Sequence, residues 1–260
     1  MEWDAPAIVL EARPFGESDA LATVMTAAHG LHRGLARGGA ARAQAGLWQA
    51  GNLAQVRWVA RLADQLGSFS GELVHPGAAL AMDDPLALAM LSAATAVAAG
   101  ALPEREPHPR VFHGLLSLLA HLAAEPASVL PDLVRWEAAL LAELGYGLDL
   151  AACAVSGETT GLAYVSPRTG RAVTAAAAAN WKTRLLPLPG FLGAGSNAAA
   201  ARQIPLAVPL AACRDGLALT GHFLARDAFG LHHKPLPRAR QMLYDRVVAL
   251  AETESLPDAG

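Results

Sequence analysis

Apolar side chains along the first 80 residues come in short runs, several of them alternating with polar ones, and each run is closed by glycine or a polar cluster. The runs AIVLEARPFG, ALATVMTAAHG, HRGLARGG, AQVRWVARL and GSFSGELVH read as five strands, because a period of two sends successive side chains to opposite faces of a sheet. Five short strands at this spacing predict a small barrel. In QVRWVARL the alternation puts Val56, Trp58 and Ala60 on one face and Arg57, Val59 and Arg61 on the other. One face of that strand is therefore expected to be basic.

The pattern turns helical at Asp83. Asp83 or Asp84 can cap a helix whose first turn holds Pro85, since a side-chain oxygen satisfies backbone N–H groups that have no partner at a helix start. The stretch Pro85–Pro103 is uncharged and of nearly bilayer-spanning length, yet it is mostly alanine, so a buried helix is expected rather than a membrane span. Helices are expected at about 109–124 and 130–145; in the second, Leu133, Trp136, Leu140, Leu141 and Leu144 share a face, and Gly145 and Gly147 end it. Residues 153–173 break the helical pattern and read as a β-hairpin turning at SPRTG, where proline pre-sets one angle and glycine accepts a positive one. Helices resume near 197–229 and 236–251, interrupted by prolines. The fold class expected is α+β: a five-stranded barrel over residues 1–80, then a helical domain over 81–255 carrying a hairpin excursion at about 151–174.

Composition narrows the chemistry. The 260 residues are 53% hydrophobic, but alanine carries much of that excess and contributes little transfer free energy. The opening MEWDAP has two acids and no basic segment, so a cytoplasmic chain without a secretory signal is expected. Two cysteines, Cys153 and Cys213, lack the paired spacing of a zinc site or a disulfide framework. No phosphate-binding GxxxxGK[ST], HExxH, GxSxG or kinase signature occurs, and the acid pairs Asp83–Asp84 and Glu104/Glu106 sit where caps and solvated loops account for them. His232–His233 is the one adjacent histidine pair and reads as structural or solvated. No enzyme, cofactor or metal is expected.

The stretch LHRGLARGGAARAQ is different. Between Ala20 and Ala63 there are five arginines (Arg33, Arg37, Arg42, Arg57, Arg61) and no acid, where about four acids would be expected at the chain's mean frequency. The net charge of –3 does not forbid an anionic ligand, because the field such a ligand meets is local over a Debye length of about 8–10 Å. A solvated glycine loop is the plain reading of the charge alone. A small barrel, an arginine-bearing strand and a glycine loop together are the equipment of an oligonucleotide-binding (OB) fold. Phe15, Trp48, Trp58 and Phe69, besides Trp3, are the candidates for stacking on bases.

In its order of parts the chain resembles a known family, the bacterial recombination mediator RecO. The resemblance runs through AIVLEARPFGESDALATVMTAAHG, LARGGAARA, LLAELGYGLDLAACAVSG, LAYVSPRTGRAV, LLPLPGFL and the closing LTGHFLARDAFGLHHKPLPRARQMLYDRV, with 140–173 the most specific part. It implies an N-terminal OB barrel joined to a helical domain, and a protein that is not an enzyme. It also implies binding to single- and double-stranded DNA, annealing of complementary strands, and work with RecR and RecF to load RecA onto DNA coated by the single-stranded-DNA-binding protein. Carried onto this chain, Arg33, Arg37, Arg42, Arg57 and Arg61 are the DNA-facing set. Lys234, Arg238 and Arg240 form a secondary one, with Arg246 and Arg226 nearby and Asp227 and Asp245 offsetting them. The acidic, apolar tail of the single-stranded-DNA-binding protein is expected on the helical domain, in a pocket rimmed by Arg110 and Arg135.

One departure from the family stands out. Many members hold zinc with two CxxC pairs in the β excursion; here Cys153 remains, Ser156 stands where a second thiolate would be, SPRTGRAV supplies no further cysteine, and one thiolate cannot hold a tetrahedral zinc. A degenerate, metal-free hairpin with Cys153 buried is expected. If all five arginines touch phosphates, affinity for single strands should fall with salt at a slope near –3.5, from about –0.7 per contact. The rival readings are a protein-binding scaffold whose barrel does not bind DNA, and a membrane-associated or hydrolytic enzyme, which rests on hydrophobicity alone.

Overall fold

The computed structural model describes residues 1–62, 65–193 and 208–255. Five strands, β1 (Glu2–Phe15), β2 (Asp19–Thr26), β3 (Gly30–Ala36), β4 (Leu53–Val59) and β5 (Ser68–His75), close into a barrel in the order β1-β2-β3-β5-β4. All five fall on the runs that the alternation marks out. β1 is long because it serves two partners: Glu2–Ile8 pairs with β4 and Ala7–Phe15 with β2, with an irregularity between Val9 and Glu11 that bends the strand round the barrel. Parallel pairing of Leu35 with Ser68 and Ala36 with Phe69 closes the cylinder. This is the OB architecture.

Small residues on the inward positions let the barrel close tightly. Ala7, Val9, Ala20, Ala22, Val24, Ala36, Ala54 and Val56 line the core with Trp48, Trp58 and Phe69 as the bulky fillers. The β3–β4 loop is no loose connection. Asn52, buried beneath it, donates to the carbonyl oxygens of Gly46 and Leu47 and accepts from the amide of Ala78, so one side chain pins the loop to the first helix.

Beyond the barrel come α1 (Gly77–Ala81), α2 (Pro85–Ala101) and α3 (Pro109–His121). Asp84 caps α2, accepting from the amides of Leu86 and Ala87 at 2.7 and 2.9 Å. The uncharged stretch is thus a core helix, burying Met90, Leu91, Ala94, Val97 and Ala98, and among the described residues no helix is long and apolar enough to cross a membrane. The chain divides into two compact units, Met1–Pro126 with Pro237–Arg240 and Ala127–Leu236 with Gln241–Gly260. The change of texture at Asp83 therefore marks a change of secondary structure, and α1 to α3 group with the barrel.

The second unit holds α4 (Pro126–Glu143), α6 (Leu210–Phe223), a π turn over Leu224–Phe229 and most of α7 (Arg238–Glu254). α4 starts a turn earlier than its spacing predicts and runs through Pro131. The proline forfeits one backbone bond there, and burial of Val129, Leu130 and Pro131 offsets the loss. Glu137 is fully buried on this helix and accepts a hydrogen bond from the Thr220 hydroxyl on α6. The expected hairpin is present as β6 (Leu162–Val165) and β7 (Ala172–Thr174), with the short β8 (Leu186–Pro187) completing a sheet ordered β7-β6-β8. A four-residue helix, α5 (Ala175–Ala178), follows β7. Residues 197–207 of the helix expected from 197 lie outside the described residues; the described part is α6 and the π turn.

Candidate nucleic-acid interface

Strand register decides where the arginines go. On β3, His32, Gly34 and Ala36 hold the inward positions, leaving Leu31, Arg33 and Leu35 outward; on β4, Val56 and Trp58 are buried and Gln55, Arg57 and Val59 face out. Between these strands lies β5, where Ser70 pairs with Arg57 and Ser68 with both Leu35 and Val59. Arg37 and Arg61 sit one and two residues past the ends of β3 and β4, where the alternation continues outward, and both are exposed. Pairing of β3 with β5 ends at Ala36, and Arg37 enters the turn that follows. Arg33 and Arg57 thus lie on the outer face of β3, β5 and β4, with Arg37 and Arg61 exposed just past the ends of β3 and β4. Arg42 stands apart, exposed on the β3–β4 loop.

Carboxylates already hold two of the four. Arg57 Nη2 lies 2.6 Å from Glu2 Oε2, and the guanidinium holds the Glu2 carboxyl below the usual carboxylate range. Arg33 Nη1 lies 2.9 Å from Glu104 Oε1. Glu104 belongs to a strap, residues 103–108, laid along β3: Glu104 bridges to Leu31, the Arg105 amide donates to the Leu31 carbonyl at 2.8 Å, and the Arg105 guanidinium reaches the Gln65 carbonyl. Both ion pairs are solvated and so contribute little, with the Arg33 and Glu104 side chains 50% and 41% exposed. A phosphate can displace such a partner. Arg37, Arg42 and Arg61 make no ion pair among the described residues.

The aromatic candidates sort differently from what the sequence suggests. Trp48, Trp58 and Phe69 are core residues, closed to any base, and Trp3 is half-buried, stacked on His29 with ring centroids 4.9 Å apart. Phe15, at the β1–β2 turn, is 58% exposed and is the one of the five open to a base.

Of the secondary set, Lys234 and Arg238 are exposed, but Arg240 is corrected. Its side chain is 1% exposed, among the largest fully buried in the molecule, and a group so enclosed cannot reach a phosphate backbone. Arg226 is likewise engaged, paired with Asp227 at 2.7 Å, bonded to the Pro167 carbonyl and stacked over Phe223. Arg110 lies in α3 of the first unit, while Arg135 in the second pairs with Asp132 and stacks over Phe191, so the two belong to separate units.

The β excursion does not fit zinc. Among the described residues no three His, Cys, Asp or Glu side chains gather closely enough to hold a metal. Cys153 is buried, its sulfur accepting from the amides of Ser156 and Thr174 at 3.5 and 3.3 Å. The Ser156 side chain first, then its amide and those of Thr174 and Val155, pull the thiol down to about 6, whereas burial pushes Cys213 up to about 11. Titrating ultraviolet thiolate absorbance should give a first step near pH 6 that Cys153→Ser abolishes, well separated from the second. A single step above pH 8 would show that these donors do not hold the thiolate.

Two family models match the chain, Recombination protein O N terminal over residues 1–76 and Recombination protein O C terminal over residues 82–236. The chain is 61% identical over 247 residues to the DNA repair protein RecO of Acidiphilium cryptum, covering 95% of this chain and 96% of that one. It is 58% identical over 254 residues to that of Granulibacter bethesdensis, 98% of each chain. With that of Gluconacetobacter diazotrophicus the identity is 54% over 262 residues, 99% of this chain and all of the relative.

Proposed function

Since the chain belongs to the RecO family of DNA repair proteins, we propose that it is a non-enzymatic recombination mediator whose barrel holds single- and double-stranded DNA by the phosphates, without reading sequence. The observation that carries this is the shared outer face of β3, β5 and β4 with its outward arginines. Guanidinium groups on a sheet surface bind backbone, leave base edges free, and screen the repulsion between two strands that must anneal. Serine side chains on β5 between the arginines keep the track shallow, which suits a polymer more than a small molecule. Loading of RecA with RecR and RecF, on DNA coated by the single-stranded-DNA-binding protein, is the role the family reading adds. For the tail of that protein, Arg135 over Phe191 is the contact we retain on the helical side.

Fluorescence anisotropy with single strands of two unrelated sequences, at two salt concentrations, tests the reading. Equal affinities are expected for both sequences. The barrel's share of the salt slope should lie between about –2, if only Arg37, Arg42 and Arg61, which make no ion pair among the described residues, engage, and about –3.5, if phosphate also displaces Glu2 and Glu104. A slope of zero, or a strong preference for one sequence, removes the barrel face from the function and favours the protein-binding scaffold.

A further inference from the structure

The longest acid-free run in the chain is not at the barrel. Residues 159–214 contain no aspartate or glutamate, where about five would be expected, and carry six basic residues. Within this run α5 ends abruptly at Ala179, whose backbone turns to φ +37, and a single 3₁₀ turn, Ala179–Arg184, follows. Its sequence is ANWKTR, and none of its side chains is buried. Trp181 is 58% exposed, the only tryptophan among the exposed large hydrophobic residues. The Arg184 guanidinium lies over its ring at 5.0 Å from the centroid, and Lys182 is exposed beside it.

A tryptophan left in water is a cost the fold could have avoided by burial, as it does with Trp48, Trp58 and Trp136. An arginine stacked on it pre-orders the indole and places positive charge over one face of the ring. An exposed ring flanked by two cations, with no acid nearby in sequence, is what an unpaired base on a phosphate backbone requires: a face to stack on and charge for the flanking phosphates. A duplex offers no such base, because its faces are already stacked.

We propose that the Ala179–Arg184 turn is a second nucleic-acid site, which stacks one unpaired base on Trp181 and holds the adjoining phosphates with Lys182 and Arg184. The proposal deepens the DNA-binding reading and rests on it, while placing the contact in the other compact unit. It also gives the chain a contact that distinguishes single strands from duplex, which the barrel arginines do not.

Titration of the full-length chain with oligo(dT), and with a duplex of equal length, tests it. Trp181→Ala should weaken oligo(dT) binding about five- to hundredfold with the salt slope unchanged, because stacking is not ionic. Trp181→Phe should keep most of the affinity, and Lys182→Gln with Arg184→Gln should make the slope shallower by about 1.4. Duplex binding should not respond to Trp181→Ala. Unchanged oligo(dT) affinity in Trp181→Ala, or an equal loss on duplex, overturns the proposal. So does a variant that keeps oligo(dT) but loses an acidic peptide, which would assign the turn to a protein partner. Loss on Trp181→Ala with no response to the barrel arginines would instead overturn the barrel reading and leave this one standing. No DNA binding by the unaltered chain overturns both.

Discussion

Replacing Arg37, Arg42 and Arg61 together by glutamine is expected to weaken single-strand binding about ten- to hundredfold at low salt, each exposed charge contributing about 0.5–1 kcal/mol. The same variant should make the salt slope shallower by about 2, since each lost phosphate contact removes about 0.7. The three were chosen by the structure, not by their residue type. They make no ion pair among the described residues, so their removal strands none of the carboxylates described there. By the same argument Arg57→Gln alone should matter less, because Glu2 already offsets it at 2.6 Å. Affinity that stays put in the triple variant, at any salt, would show that the outer face of β3, β5 and β4 is not where DNA lies. Arg42→Gln alone separates the face from the loop, since that residue stands apart from the other arginines.

Gly30→Ala is expected to be the most damaging single change in the barrel unit. Gly30 opens β3 at φ +66, and a Cβ there would lie 2.1 Å from the carbonyl oxygen of Glu106. Two costs combine: a backbone conformation that alanine adopts with difficulty, and a collision with main chain that cannot swing aside. Together they should remove about 3 kcal/mol or more, lowering the thermal midpoint by roughly 5–10 °C. Gly38→Ala is the matched comparison. Its φ is also +66, but nothing lies within 4 Å of the added carbon, so about 1 kcal/mol is expected there. Equal midpoints for the two variants would mean that the strap carrying Glu104 and Arg105 does not press on β3 as the structure has it.

Local pattern was enough for most of the architecture. Short apolar runs closed by glycine or polar residues marked out all five barrel strands, several of them by alternation, which assigned Trp58 and Arg57 to opposite faces of β4 because a period of two needs no partner to be recognised. An aspartate at 83 or 84 before Pro85 announced α2, because capping is chemistry between neighbours, and the structure makes Asp84 the cap. The turn SPRTG announced the hairpin for the same reason, and Ser156 in place of a thiolate was legible as the loss of a zinc ligand.

What lay beyond local pattern was whatever depends on a residue far away in the chain. Glu104 neutralises Arg33 from 71 positions on and Glu2 neutralises Arg57 from 55 positions back, so an acid-free window along the sequence was not an acid-free surface. Charge statistics along a chain see neighbours in sequence, while an ion pair is made by neighbours in space. Arg240 looked like one more cation beside Arg238, yet packing encloses it. Sequence alone does not single out Trp181, although the longest acid-free run surrounds it, because only tertiary packing distinguishes a tryptophan left in solvent from one that fills a core. The sequence by itself determined the elements, their order and the family; the closed barrel, through the register that fixes inward and outward, decided which of its arginines face solvent.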